Sequence, residues 1–269
     1  MAITEALGHK LIEMEKWNCC GVVASLTSDD LMHHLASIRN LIHVQDEGED
    51  KVVVLCDMCT NTLKQTNLRV TESQDDLETL NEFMDKENEY KGNVTVIHFL
   101  EFLRDEVGFD VIKKKVKRPL KGLRIMPYYG CMLLRPAEVA IDDPEEPRIL
   151  ADLIKALGGE VVDTPYKIEC CGSYHTIDQK DVTSKRAGKI STFGVDRGAD
   201  CIMLSCPLCK YNLDTRGKEA ESLIDGYHQI PVFYYTQLIA LALGLDMEPL
   251  DLEGHAVDPI KILKERGIV

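Results

Sequence analysis

Lys51-Val-Val-Val-Leu-Cys56-Asp-Met-Cys59 and Cys201-Ile-Met-Leu-Ser-Cys206-Pro-Leu-Cys209 are one local plan written twice. Each is a short apolar run that ends in Cys-x-x-C. A run of this length and composition suits a buried strand. A Cys-x-x-C at the strand end, opening a helix, sets two thiols on one side of a tight turn. There the helix N–H groups and the positive dipole end stabilise thiolate.

The likeness extends outward from these runs. Ahead of the first lie Ala6-Leu7-Gly8 and Cys19-Cys20-Gly21, and ahead of the second lie Ala156-Leu157-Gly158 and Cys170-Cys171-Gly172. The Ala-Leu-Gly to Cys-Cys steps are 13 and 14 residues, and the Cys-Cys to Cys-x-x-C gaps are 35 and 34. Leu63 and Leu213 each follow four residues after the last cysteine. Four landmarks in one order at matched distances mark a duplicated unit. The copies are unequal at one end. The second has a further cysteine, Cys131, with a β-like run at Leu123–Met126 and a helical pattern at Pro147–Leu157 ahead of its Ala-Leu-Gly. The counterpart of Cys131 would fall about 20 residues before Met1. A first unit lacking its first strand would expose a sheet edge and apolar surface. A misplaced start accounts for this best. The other reading is a first site lost, rebuilt or completed by another chain.

Strand-like runs at Lys51–Cys56, Leu123–Met126, Gly159–Val162, Cys201–Leu204 and Pro231–Tyr235 alternate with helical patterns. The helical patterns lie at Asp30–Val44, Asp75–Glu89, Val94–Val107, Pro147–Leu157, Asp178–Arg197 and Lys210–Ile224. Such alternation predicts an α/β class with mainly parallel sheets under helical cover. The expected division is 1–110, a basic linker at 111–122, and 123–269. Lys113, Lys114, Lys115, Lys117, Arg118, Lys121 and Arg124 crowd the linker region without an acid. That stretch reads as a solvated connection, or more sharply as a docking patch for an acidic protein partner.

Composition narrows the function. The formal net charge of −14 argues against a general nucleic-acid binder and against anchoring on an anionic membrane. No apolar run reaches the ~20 residues of a membrane span, and Met1-Ala-Ile-Thr-Glu-Ala is not a secretory signal. A cytoplasmic location is expected. There the 10 cysteines are not a disulfide framework but metal ligands or core residues. Soft thiolate-only ligation suits iron–sulfur clusters, zinc or Cu(I). Cys131, Cys170, Cys171, Cys206 and Cys209 make one thiol more than tetrahedral zinc or a cubane cluster takes, which points to an expanded iron–sulfur site. Cys201, inside an apolar run without a repeat partner, reads as core. His33, His34, His43, His98, His228 and His255 show no ligand spacing. His175, four residues past Cys171, is a candidate proton donor or sulfur partner, though surface placement is the plainer reading. Nucleotide-binding loops and a ferredoxin-type cysteine run are absent, so electrons must come from outside the chain.

Cys131-x38-Cys170-Cys171-x34-Cys206-x2-Cys209, together with the closing stretch Pro231–Gly244, resembles the CCG cysteine-rich domain found in the B subunit of heterodisulfide reductase. The resemblance covers nearly the whole chain. It implies two pseudo-symmetric CCG domains, the N-terminal one lacking its first strand. It implies non-cubane [4Fe-4S] clusters, each on five cysteines, facing each other across a pseudo-twofold axis and cleaving a disulfide. In methanogens that disulfide joins coenzyme M and coenzyme B. The implied partners are a flavin subunit together with a ferredoxin-like iron–sulfur subunit. On this sequence the second ligand set maps fully, as Cys131, Cys170, Cys171, Cys206 and Cys209. The first maps as Cys19, Cys20, Cys56 and Cys59, one cysteine short of the five that the resemblance implies. The same domain occurs in hydroxy-acid oxidase and sulfur-metabolising complexes, so an electron-transfer subunit of such a complex is the alternative. A zinc-binding structural protein is the alternative of another class.

Overall fold

The computed structural model describes residues 1–21 and 31–269. The expected helix from Asp30 therefore has its first residue outside the described residues, and the rest of it forms from Met32 onward. In chain order the elements are α1 (Ala2–Leu7), α2 (Leu35–Asp46), β1 (Lys51–Val54), α3 (Asp57–Glu72), α4 (Gln74–Glu82) and β2 (Thr95–His98). There follow α5 (Phe99–Glu101), which continues as a wide turn to Val107, then α6 (Phe109–Lys115), β3 (Arg124–Pro127), α7 (Ile149–Ala156) and β4 (Glu160–Val161). The chain closes with α8 (Lys180–Asp196), β5 (Cys201–Leu204), α9 (Pro207–Tyr211), α10 (Gly217–Glu219), β6 (Val232–Tyr234), α11 (Tyr235–Leu243) and α12 (Pro259–Glu265).

All strand pairs are parallel. β1 pairs β2 in one sheet, and the other sheet runs β4-β3-β5-β6. The two sheets repeat each other in register. Val54 sits opposite His98, and Leu204 opposite Tyr234. In each case the first partner lies two residues before a Cys-x-x-C and the second opens a helix. That second residue's N–H is capped alike in both halves: His98 donates to Glu101 Oε2 at 2.7 Å, Tyr234 to Gln237 Oε1 at 2.9 Å. This supports two pseudo-symmetric units, with β1 and β2 the counterparts of β5 and β6.

The strand order also locates a site. From β3 the chain passes through α7 to β4 on one side, then through α8 to β5 on the other. Beyond the carboxyl ends of β3 and β5 the connections diverge, leaving the crevice in which open parallel sheets bind ligands. Cys131 follows β3, and Cys206 and Cys209 follow β5.

Two expectations change. The helical pattern at Val94–Val107 begins as a strand, because Thr95-Val-Ile-His98 extends alongside β1 and only Phe99 onward coils. The helix expected over Asp75–Glu89 stops at Glu82. The basic stretch is partly helical: α6 runs to Lys115 with Ile112 fully buried. The largest core cluster joins both halves, packing Leu7, Leu100, Leu103 and Ile112 with Ile125, Leu153, Phe233 and Leu238.

Candidate metal centre

The second cysteine set forms a ribbon of neighbouring thiols. Cys131 hydrogen-bonds to Cys170, and Cys170 to Cys171. Cys171 Sγ lies 3.3 Å from Cys209 Sγ, and Cys209 adjoins Cys206. Three elements deliver them: the turn after β3, the Cys-Cys-Gly loop ahead of α8, and the strand-to-helix turn from β5 into α9. Gly172 turns that loop with φ 80, and Gly21 does the same in the first half with φ 76. Few residues other than glycine adopt this conformation. It aims the Gly172 N–H at Cys170 Sγ, 3.3 Å away. Gly130 is needed for a different reason. It combines φ +66 with a position where a Cβ would stand 3.3 Å from Cys209 Sγ.

The five thiols do not ionise alike. Hydrogen bonds from Cys131 and Cys171, with help from the Gly172 N–H and Arg186, pull the Cys170 thiol far down. Donating to that thiolate pushes Cys131 up, and Cys171 is raised to about 11. Cys209 is raised by its bonds to Cys171 and Cys206 and by burial. Like charges this close do not all ionise by themselves. A cationic centre that takes up thiolates would compensate them. Among the described residues, no three Cys, His, Asp or Glu side chains surround one point as the ligands of a single ion would. Five thiols in a ribbon fit a centre with several metal atoms better than one tetrahedral ion. All ten cysteines are free.

The first set is smaller and more exposed. Cys20 Sγ lies 2.7 Å from Cys59 Sγ, and Cys59 bonds Cys56. Cys59 is raised to about 12, chiefly by its bond to Cys20. Cys20 is buried, Cys56 and Cys59 are half-buried, and Cys19 is exposed. The two sets are neighbours. Cys56 and Met58 pack in one cluster with Cys171, Cys206, Cys209 and Tyr128. Asn61, on α3, donates to the carbonyls of Met132 and Arg135 at 2.8 and 2.7 Å and so holds the loop after Cys131.

Several residues around the site carry no sequence motif. Asn212 Nδ2 reaches Cys171 Sγ at 3.5 Å. Tyr128 is buried beneath the second set, and desolvation raises its phenol well above the usual range. Tyr234 lies where the charges of Cys206, Cys56 and Asp57 all bear on it. Arg186 donates to the Cys170 carbonyl and to Glu169. His175 stands on the surface, 3.7 Å from the Asp178 carboxylate. Cys201 is fully buried in the core of β5. A cleft of about 790 Å³ opens beside α9, lined among others by Pro207, Lys210, Tyr211, Tyr234, Gln237 and His255.

The chain is 30% identical over 263 residues to the 8-methylmenaquinol:fumarate reductase membrane anchor subunit of Wolinella succinogenes, covering 97% of this chain and 91% of that protein. It is 28% identical to the B subunit of the ferredoxin/F420H2-dependent CoB-CoM heterodisulfide reductase of Methanosarcina acetivorans, over 94% of this chain and 85% of that one. It is also 28% identical to an Archaeoglobus profundus protein described as like the heterodisulfide reductase B subunit, over 96% and 88%. A crystal structure of a hypothetical protein from Helicobacter pylori shares the fold with a TM-score of 0.74 at 12% identity. That match covers 95% of this chain, which spans about half of the solved chain (47%). No helix among the described residues is long and apolar enough to cross a membrane. The CCG family, a cysteine-rich domain, matches at residues 1–64 and 125–214, and the chain belongs to that family.

Proposed function

We propose that this chain is an iron–sulfur subunit of a heterodisulfide reductase-like complex, reducing a disulfide at non-cubane [4Fe-4S] clusters. The observation that carries the reading is the five-thiol ribbon at the crevice between β3 and β5, with Cys56 of the other set packed in the same cluster. Cys131, Cys170, Cys171, Cys206 and Cys209 would hold one cluster. Cys19, Cys20, Cys56 and Cys59 would contribute to a second. Relatives named as reductase subunits support both the redox chemistry and membership of a complex. This reading requires two partners, a flavin subunit together with a ferredoxin-like iron–sulfur subunit, and the cytoplasm is the compartment it places them in.

Cleaving a disulfide takes two electrons and two protons and leaves two thiols. The clusters, when bound, supply electron transfer one at a time. The chain's own part is to hold and shield. The Gly172 N–H and Asn212 orient Cys170 and Cys171. Tyr128 and Leu213 seal the buried side of the second set. The cleft beside α9 gives a small molecule an approach near Tyr234. A second reading keeps the clusters and changes the substrate: an electron-transfer subunit of another reductase. The Wolinella succinogenes relative favours it. An anaerobic assay with the partner proteins decides. Turnover of a disulfide supports the first reading, and electron transfer to or from a quinol without disulfide reduction supports the second. A colourless protein containing only zinc would contradict both.

A further inference from the structure

We propose that Asp57 is a positioning residue that latches the cysteine turn of one half to that of the other. Asp57 follows Cys56 directly, and Ser205 directly precedes Cys206. The Ser205 hydroxyl donates to Asp57 Oδ2 at 2.9 Å. On its other side, Asp57 Oδ1 lies 3.2 Å from His98 Nε2. His98 Nδ1 accepts the Leu100 N–H at 3.1 Å. Its lone pair is thereby used, which leaves the ring proton on Nε2, the nitrogen nearer to Asp57. Asp57 is 1% exposed, His98 0% and Ser205 3%.

Duplication does not demand this contact. Within the repeat, Asp57 corresponds to Pro207 and Ser205 to Leu55, so the reverse contact cannot form. An acid in the first turn of α3 would serve the helix dipole equally well from a surface position. Here the side chain is 1% exposed and depends on partners inside the protein rather than on water. Its hydrogen-bond donor comes from the turn after β5 and its imidazole neighbour from β2, neither from its own helix. One side chain thus fixes Cys56, Cys206 and the end of β2 relative to one another. That would set the spacing of the two thiol sets.

This inference rests on the cysteines being cluster ligands, but its test does not. In the metal-free full chain, alkylation of Cys206 by a maleimide is followed by mass spectrometry, with Cys201 of β5 as the internal control. Asp57→Ala is in the first half, yet it is expected to speed alkylation of Cys206 severalfold. Ser205→Ala is expected to do the same, and Ser205→Thr, which keeps the hydroxyl, to restore the slow rate. Cys201 should stay unreactive throughout, since a general loosening of the fold would expose it as well. In the iron-loaded chain, the electron paramagnetic resonance signal of the second-half cluster should broaden in Ser205→Ala and recover in Ser205→Thr. Unchanged Cys206 reactivity in both alanine variants would overturn the latch, as would parallel exposure of Cys201. A chain that never takes up iron would contradict the proposed function while leaving the alkylation result to judge the latch.

Discussion

β1 and β5 carry the same motif at the same offset, yet β5 is buried at every residue while β1 is exposed at Lys51 and half-buried thereafter. The contrast continues past the strands. Leu55 is 62% exposed, whereas its counterpart Ser205 is buried. Cys206 and Cys209 are buried, and Cys56 and Cys59 half-buried. The cause is the neighbour on the other edge. β5 lies between β6 and β3, and β3 also leads to Cys131. β1 pairs with β2 alone among the described residues. The flanking strand therefore buries the cysteine turn and supplies a further thiol in one step. A Cys-x-x-C motif specifies the turn, but its shielding comes from the rest of the sheet.

The largest expected effect separates the two cysteine sets. Cys171→Ala should abolish the second-half cluster signal and disulfide reduction together. Cys20→Ala should leave that signal in place. Spectra of the two variants side by side check this, and loss of the second-half signal in Cys20→Ala would merge the two sites into one. A smaller effect concerns the strands. Ile202→Ala in β5 removes a fully buried side chain and should cost about 2–5 kcal/mol in denaturant unfolding. Val52→Ala, in half-buried β1, should cost roughly half of that or less, because less area leaves water. Equal costs would mean that the two strands are equally buried.

Gly130 gives a third test. Gly130→Ala should cost about 1–2 kcal/mol from its left-handed backbone and also lower iron content, since the new methyl meets Cys209 Sγ. Gly122 has φ +82 and open space around it. Gly122→Ala should share the backbone cost and keep the iron. The smallest effect lies in the two capping pairs. Glu101 is paired with Lys64 at 2.8 Å, whereas Gln237 meets His255 at 3.1 Å. Burial, followed by the Lys210 charge, holds His255 below its usual range. The folded state then binds a proton less readily than the unfolded one. Stability from the neutral ring is present above the unfolded pKa of ~6.5 and falls as pH drops below it. His255→Gln should flatten that part of the melting profile, while Glu101→Gln should leave it unchanged.

Much of this architecture was legible because cysteine spacing is sparse and its chemistry narrow. The duplicated landmarks placed β1 and β5 and both Cys-Cys-Gly loops, and they singled out Cys131, which the fold brings beside them. The strand Thr95–His98 was readable too, since Val94-Thr-Val-Ile97 is β-branched, but the apolar residues after it carried a helical period that masked the switch. Other features were not legible in principle. That Gly130 faces Cys209, or that Asn61 holds the Cys131 loop, depends on approaches between segments distant in sequence. By its position in the sequence Asp57 is no different from any acid that opens a helix. Only the fold shows it buried against Ser205 and His98.

The central claim is that the second half alone carries a complete thiol ribbon around an iron–sulfur centre. Anaerobically purified full chain should be coloured and contain iron and acid-labile sulfide in equal amounts. Its electron paramagnetic resonance signal should vanish in Cys171→Ala and in Cys131→Ala. A protein that binds zinc without sulfide, or an iron signal that survives Cys131→Ala unchanged, would contradict it.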